Sequence, residues 1–501
     1  MAASVRLNPG EHAALLRSLA DYFDARGVRV WVTGGFLRDL LLERHPYDID
    51  LAVAGDPLSV GPHLAESLGG QFFPLREERG QARILLPERR LQIDLMPLRA
   101  ADLEGDLRRR DYTIDAMAAE LREIAEGNPR LLDPTGGLTD LRSCLVRMTG
   151  EQAFEDDPLR LLRGPRIGTE LGFALEPGTA ETIRRLAATV TNAAPERQRD
   201  EIVRVCSTES AGAGLRLLDD LGLFGRVFPE MEVTRSVDQP KEHYYDVLGH
   251  SFAAVGALDW LMALERPAGE SQAAMWSRLW SELGWLEGLR EYFREELTQG
   301  STRLATLKLC GLLHDIAKPE TKSFEANGRM RFFGHSERGA EIASALMRRL
   351  RFSTREVKMV ATMIEAHLRP IQLGQQGAPS RKAVYRFFRD TGDSAIATLF
   401  LSLADHLASV GPRVSMDGFQ AHVALINYIL HEQFTDGRPV LPRLVDGDVL
   451  MAELALEPGP LLGKLLAAVR EAQAVGDVAT QEEAIALARS LLADARAAKA
   501  E

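Results

Sequence analysis

Apolar positions in the first third of the chain switch between two periods. Leu15, Leu16, Leu19, Tyr22 and Phe23 recur at helical spacing and predict one amphipathic helix. VRVWVTGG, Val28 to Gly35, reads as a strand entering a glycine turn. A helix follows, and DIDLAVAG, Asp48 to Gly55, alternates as a second strand. QARILLP and RRLQIDLMPLR, Gln81 to Arg99, read as a hairpin. The first 145 residues therefore predict a mixed sheet with helices. From about Phe154 the pattern becomes helical with few strand signals. The charged, tryptophan-bearing stretch from about Arg266 to Thr302 reads as an inserted helical segment with no assigned function. A last helical piece begins near Leu441. The fold class is α+β: a mixed N-terminal sheet, then a long all-α region.

The chain has 501 residues, 45% hydrophobic and 26% charged, a composition that places it with globular proteins of several domains. No run of eighteen apolar residues predicts a membrane span, and MAASVRLNPGEH lacks the order of a signal peptide. Cys144, Cys206 and Cys310 are too scattered for a disulfide framework or a zinc site. A reducing, cytoplasmic setting is the expectation. The net charge of -12 argues against nucleic acid as a partner. Basic residues nevertheless cluster at Arg108–Arg110, at Arg160, Arg163 and Arg166, at Arg348, Arg349 and Arg351, and from Arg381 to Arg389. Any one cluster alone reads as a solvated helix face.

The chemistry concentrates between Gly34 and Asp50. Asp48 and Asp50 lie two apart on a strand, so both carboxylates share one face while Ile49, Leu51 and Val53 face the core. Mutually repelling carboxylates suit a divalent cation. Asp94, between Ile93 and Leu95, could add a third carboxylate from a neighbouring strand. Three carboxylates can hold two Mg2+ ions, one activating an attacking hydroxyl and one stabilising leaving pyrophosphate. Gly34 and Gly35 would let backbone N–H groups approach a triphosphate at the helix N-terminus, with Arg38 reaching the same phosphates and Asp39 orienting the turn. A DxD or a GG turn alone is weak. GGxxRD followed nine residues later by DID is specific.

Together with motifs further along, this pattern resembles the class II tRNA nucleotidyltransferases and bacterial poly(A) polymerases. RRRDYTIDAMA, Arg108 to Ala118, resembles the family motif that contacts ribose and phosphates, which points to Arg109 and Asp111. DPTGGLTDLR, Asp133 to Arg142, resembles its neck-proximal motif. DDPLRLLR, Asp156 to Arg163, resembles its base-selecting motif, and ERQRDE, Glu196 to Glu201, the motif that braces it. The chain departs from the family at Asp115, where Asn is usual, and at RGPRI, Arg163 to Ile167, where RAARF is usual. The resemblance implies a polymerase beta-like head.

Asp157 and Arg160, read as i and i+3 on one helix, would share a face. A carboxylate accepts and a guanidinium donates, so the pair matches the amino group and ring nitrogen of cytosine or adenine. Uracil and guanine reverse that order, leaving buried polar groups unpaired at roughly 1–3 kcal/mol each. Arg163 and Arg166 extend the nucleotide-binding set. Read without the upstream site, Asp157 and Arg160 are simply an intrahelical ion pair.

Only Leu95 to Leu107 separate Asp94 from Arg108. The family's CC-adding branch has this short link and lacks the flexible loop that helps the site switch to ATP. The expected activity is addition of CMP from CTP to tRNA 3' ends. The alternatives are full CCA addition and a poly(A) polymerase.

His250, His314, Asp315, His335, His367 and Asp405 form an ordered set of nitrogen and oxygen donors at predicted helices or their ends. This resembles the HD phosphohydrolase domain. The resemblance implies a divalent metal (Mg, Mn or Ni) on His250, His314, Asp315 and Asp405, with His335 and His367 completing a second ion or binding phosphate. Hydrolysis of phosphoesters such as 2',3'-cyclic phosphates is expected. Along RKAVYRFFR, Arg381, Lys382, Arg386 and Arg389 could touch RNA, with Tyr385, Phe387 and Phe388 interleaved; the alternative is an amphipathic helix with buried aromatics.

The expected organisation is a catalytic head over 1–145, a helical neck for base selection over 146–235, an HD-type domain over 236–435 carrying the 266–302 insertion, and a helical tail over 436–501. The expected partners are a tRNA acceptor end, CTP and ATP, no membrane, and a separate A-adding enzyme acting in sequence. A competing function of another class is an HD phosphohydrolase that keeps an inactive transferase-like module for RNA binding.

Overall fold

A computed structural model of the chain describes residues 2–4, 7–46, 48–86, 91–264, 269–375, 377–434 and 443–497. It divides into two compact units, 1–208 with 213–229, and 209–212 with 230–501.

The first unit opens with β1 (Ala2–Ser4), α1 (Ala13–Asp24), β2 (Val30–Thr33), α2 (Gly34–Leu41), β3 (Asp48–Val53) and α3 (Pro57–Leu68). β4 (Gln71–Arg76), β5 (Gln81–Leu86), β6 (Leu91–Pro97) and α4 (Leu103–Arg108) follow. β7 (Ala118–Glu120), α5 (Leu121–Ala125) and β8 (Arg130–Leu132) complete one eight-stranded sheet in the order β1-β8-β7-β2-β3-β6-β5-β4. Only β3 and β6 run parallel in it. Leu15, Leu16, Leu19 and Phe23 are buried on α1, as their spacing predicts. Ile49, Leu51 and Val53 are fully buried, which fixes the opposite face of β3 for its carboxylates. The predicted hairpin is β5 and β6, in antiparallel register. Trp31, Ala52, Leu103, Leu107 and Ala118 form a small core beneath α4. This core ties the link after Asp94 onto the sheet.

The remainder of this unit is helical: α6 (Gly137–Arg142), α7 (Gln152–Asp156), α8 (Arg160–Leu171), α9 (Pro177–Leu186) and α10 (Pro195–Ser207). Short strands β9 (Leu145–Val146) and β10 (Ala174–Leu175) pair in parallel. α11 (Ala211–Asp220) and α12 (Phe224–Val227) follow. α8 runs unbroken through Pro165. At Gly164 an added Cβ would lie 2.3 Å from the Tyr112 hydroxyl oxygen, so the helix needs a glycine there.

The second unit contains α13 (Val247–Leu261), α14 (Glu270–Leu283), α15 (Leu289–Arg294), α16 (Arg303–Leu313) and α17 (Lys318–Thr321). α18 (His335–Arg349), α19 (Thr354–Ala366), α20 (Arg369–Gly374), α21 (Arg381–Thr391), α22 (Ala395–Val410) and α23 (Met416–Phe434) follow. The predicted 266–302 insertion begins outside the described residues. Its described part is α14 and α15, ending in a short antiparallel pair, β11 (Glu296–Thr298) and β12 (Ser301–Thr302), that the helical reading did not anticipate. A second hairpin joins β13 (Lys322–Phe324) to β14 (Met330–Phe332). The apolar stretch 381–413 is α21 and α22 separated by a 3-10 turn at Gly392–Ser394, and 67% of its apolar window is buried inside the protein.

The tail consists of α24 (Gly447–Leu454), α25 (Pro460–Val475) and α26 (Gln481–Ala497) around its own core of Leu450, Leu465, Val469 and Ala484. The expected starts at 436 and near Leu441 lie outside the described residues. Cys144, Cys206 and Cys310 form no disulfide.

Candidate functional site

In the first unit, the parallel register of β3 and β6 sets Asp50 directly beside Asp94, and Asp48 beside Gln92. Adjacent positions in register point to one face, so Asp48, Asp50 and Asp94 share one face of the sheet. Burial, and then repulsion from Asp94, push the Asp50 carboxyl up to about 7. Burial raises Asp48 as well. Carboxylates that resist ionising beside one another are a donor set that a divalent cation would relieve, so these residues fit Mg2+. Gly34 adopts φ +67°, and a Cβ there would lie 2.6 Å from Asp50 Oδ2. The GG turn is therefore needed by the carboxylate as well as by the backbone.

Two arginines have unexpected settings. Arg83 on β5 donates to both oxygens of Asp94 at 2.6 and 2.7 Å. Nothing in its motif marked it, although the hairpin register pairs Arg83 with Asp94 directly. Arg38 is buried and donates to Asp39 at 2.8 Å and to Asp115 at 2.9 Å. Its guanidinium is thus held inside the head by the very residue where Asn is usual.

The segment from Asp156 to Arg163 corrects the sequence reading. Asp157 and Arg160 do not share one helix. Asp157 is extended, at φ -153° and ψ 99°, as the C-cap of α7, and α8 starts at Arg160. Pro158 explains this, because the residue before a proline avoids helical backbone. Asp157 accepts from Arg197 on α10 at 3.1 and 2.7 Å. Burial would raise the Asp157 carboxyl, but Arg197 outweighs it and lowers it. Arg160 donates to the backbone oxygens of Arg109 and Ala153 at 3.2 and 3.1 Å.

Neighbouring contacts hold this segment. The Tyr112 hydroxyl donates to the Arg160 carbonyl at 2.6 Å. Arg163 pairs with Asp111 at 2.9 Å. Burial would raise Asp111, yet Arg163 and Arg160 hold it at about 2. Arg166 is buried between Glu201, at 2.6 Å, and Glu170. Glu201 belongs to the last motif, so that motif does brace α8. Arg109 is exposed, its Nη1 3.4 Å from the Arg99 carbonyl.

In the second unit, the six predicted donors converge. His250 on α13 lies 3.1 Å from His314, 3.1 Å from Asp405 and 3.3 Å from Asp315. His335 lies 3.4 Å from His367 and 3.6 Å from Asp315. Two triads result, His250–His314–Asp405 and Asp315–His335–His367, each with its ligand atoms within 4.8 Å. His314, His335 and His367 each place Nδ1 at 2.6–2.9 Å from a backbone carbonyl, of Gly311, Phe332 and Ile364 respectively. A carbonyl only accepts, so Nδ1 carries the proton and Nε2 faces the cluster. Asp315 Oδ1 is buried without a hydrogen-bond partner among the described residues. Burial would lower His314, but Asp315 and Asp405 raise it to about 10, so the two carboxylates demand positive charge. The set fits a divalent metal. Lys318, which sequence reading missed, pairs with Asp315 at 2.6 Å and donates to Gln239 at 2.6 Å.

The basic face of α21 meets carboxylates of α23 and α25. Arg386 donates twice to Glu471 of α25, at 2.8 and 2.7 Å, and Lys382 and Arg389 approach the same carboxylate at 3.3 and 3.4 Å. Arg381 pairs with Glu432 at 3.2 Å. Val384 and Phe387 are buried on the other side. α21 is thus an amphipathic helix whose charged face receives the tail.

Three family models match the chain: the poly A polymerase head domain over residues 30–147, the probable RNA and SrmB-binding site of polymerase A over 172–234, and the HD domain over 282–409. His250 lies outside the last of these. A CC-adding tRNA nucleotidyltransferase of Thermus thermophilus is 35% identical over 457 residues, covering 90% of this chain and 91% of its own. An A-adding tRNA nucleotidyltransferase of Deinococcus radiodurans is 33% identical over 459 residues, covering 90% and 93%. The Thermotoga maritima CCA-adding enzyme, solved with tRNA, shares the fold at a TM-score of 0.57 and 21% identity, over 97% of both chains. With the carboxylate face, the glycine turn and the braced Asp157 segment in place, the chain belongs to the tRNA nucleotidyltransferase family of the CC-, A- and CCA-adding type.

Proposed function

We propose that this chain adds CMP residues from CTP to tRNA 3' ends, without a template, and leaves the final A to a separate enzyme. The link from Asp94 to Arg108 carries this reading. The end of β6, a short turn and α4 account for it fully, with Asp102 capping α4 and Asp106 accepting from the Arg99 N–H at 2.9 Å. Such a link has no long loop to re-shape the site for ATP. Asp48, Asp50 and Asp94 would hold Mg2+, which when bound supplies charge stabilisation for the attacking hydroxyl and the leaving pyrophosphate. Arg83 orients Asp94, and Gly34 leaves room for Asp50. Asp157, still held by Arg197, would accept from the base amino group, and Arg160 would donate to the ring nitrogen once the base displaces its backbone partners. Arg109 and the exposed edge of Arg163 would meet phosphates.

A single assay tests this: incorporation on tRNA ending at position 73, with CTP and ATP supplied separately and together. CTP should be used readily and ATP poorly. Completion to CCA would sink the CC-only reading, and long A tails would favour a poly(A) polymerase. The A-adding relative favours a second reading, addition of A alone. Efficient use of ATP on tRNA ending in CC would establish that reading.

The second unit supports a metal-dependent phosphohydrolase. Its ligands would be His250, His314, Asp315 and Asp405, with His335 and His367 serving a second ion or the phosphate. Water would add to phosphorus, one P–O ester bond would break, and the departing oxygen would take the proton. Replacing Asp48 and Asp50 by Ala should abolish incorporation and spare phosphohydrolysis. Unchanged incorporation in that variant would mean the transferase module is not the active one. RNA contact by Arg381, Lys382, Arg386 and Arg389 remains part of the proposal. It requires phosphates to compete with Glu471 and Glu432.

A further inference from the structure

The hairpin of β13 and β14 stands beside the metal-ligand cluster and is fastened to it twice. The Phe332 carbonyl accepts from His335 Nδ1 at 2.7 Å. The Phe332 ring lies 5.5 Å from Lys318 Nζ, which pairs with Asp315. In the antiparallel register Lys322 faces Phe332 and Phe324 faces Met330. Residues opposite each other, and residues two apart, share one face of a strand pair. Phe332, Lys322, Met330 and Phe324 therefore form a single strip running outward from Lys318. The strip ends in open solvent: Phe324 is 65% exposed. Lys322 makes no ion pair among the described residues. An exposed aromatic ring, a thioether and a free cation, in line with a cluster suited to phosphoester chemistry, match a ligand with a flat base at one end and a phosphate at the other.

We propose that this strip is a nucleobase platform, so that the metal cluster takes nucleoside phosphates, with the base on Phe324 and Met330 and the phosphate near Lys322 and Lys318. The proposal rests on the phosphohydrolase reading of the second unit. It adds what that reading lacks, a reason for the site to prefer nucleotides over other phosphoesters. Phe333 supplies an internal comparison. It is equally bare, 70% exposed, but it lies one residue past Phe332 and packs with Arg331, on the other face.

The test uses the full chain and a guanosine ligand, which the base-selecting segment of the head is expected to reject. Binding of guanosine 3'-monophosphate is measured calorimetrically on chelator-treated protein. Hydrolysis of guanosine 2',3'-cyclic monophosphate, of an oligonucleotide ending in a 2',3'-cyclic phosphate, and of glycerol 2-phosphate is measured with metal restored. Phe324→Ala should weaken guanosine binding about tenfold, as expected for one lost stacking contact. The selectivity for the cyclic nucleotide over glycerol 2-phosphate should fall by a similar factor. Phe324→Trp should restore both, and Phe333→Ala should move neither. A lower KM for the oligonucleotide identifies an RNA end as the source of the ligand, and equal KM values a free nucleotide.

Guanosine binding that Phe324→Ala leaves unchanged, or that Phe333→Ala weakens equally, overturns the platform. Phe324-dependent binding with no hydrolysis of any ester upholds the platform and overturns the hydrolase reading. Hydrolysis of nucleotide and glycerol phosphate with equal efficiency, insensitive to Phe324, does the reverse.

Discussion

Arg83 grips both oxygens of Asp94 from the next strand, at 2.6 and 2.7 Å. A carboxylate held in this way is oriented, and a side chain that only orients a ligand typically matters 10–100-fold for affinity or activity. Arg83→Met should therefore lower CMP incorporation by roughly 10–100-fold and raise the Mg2+ concentration needed for half-maximal rate. A metal titration checks this. An unchanged Mg2+ requirement would show that Arg83 does not act through Asp94.

Gly34 and Asp50 are in closer conflict. A Cβ at Gly34 would lie 2.6 Å from Asp50 Oδ2, and φ +67° disfavours any side chain there. Gly34→Ala should abolish nucleotide incorporation while lowering stability by only about 1–2 kcal/mol. Thermal unfolding and incorporation measured on the same preparation separate the two effects. Retained activity would show that Asp50 can move without loss.

Arg197 donates to both carboxylate oxygens of Asp157, the residue proposed to accept from a base. Arg197→Met should leave Asp157 unrestrained and relax the choice of nucleotide. The CTP-to-UTP incorporation ratio should fall about tenfold, the scale of one mispaired polar group. A ratio identical to that of the parent would remove Arg197 from base selection.

Much of this site could be read along the chain because it depends on local alternation. Asp48, Asp50 and Asp94 each sit in a short strand whose apolar neighbours are buried, so the pattern fixed the face each carboxylate takes. The six HD donors could be read because each sits in or beside a helix with a recognisable HD-type order. Other features depended on distant partners or on backbone context. Asp157 was misplaced because helical spacing was given more weight than Pro158. The pairing of the α21 cations could not be read, because Glu471 lies 85 residues from Arg386 and no local pattern announces it. Arg83 was the recoverable omission. The hairpin was predicted, and counting its register would have set Arg83 against Asp94.

His422 carries a pH signature. It is buried beside Ser402, whose hydroxyl oxygen lies 3.1 Å from Nε2. Burial, and then His406, push its imidazole down to about 4. Because the folded value is the lower one, the unfolded chain takes up the proton first as pH falls. The stability that neutral His422 confers is intact above about pH 6.5 and is lost progressively towards pH 4. Urea unfolding of the parent should lose roughly 2–3 kcal/mol relative to His422→Gln between pH 7 and pH 4.5. Parallel pH dependences for the two proteins would refute this assignment.

The segment between Asp94 and Arg108 acts as a strut rather than a tether. One end is a strand in register with Asp50, the other is a helix whose Leu103 and Leu107 pack with Trp31, and the Asp102 cap fixes its start. The distance from the third carboxylate to the arginine run is therefore a fixed dimension of the head. Lengthening the segment would release that dimension, and with it the set spacing between the carboxylate face and Arg108.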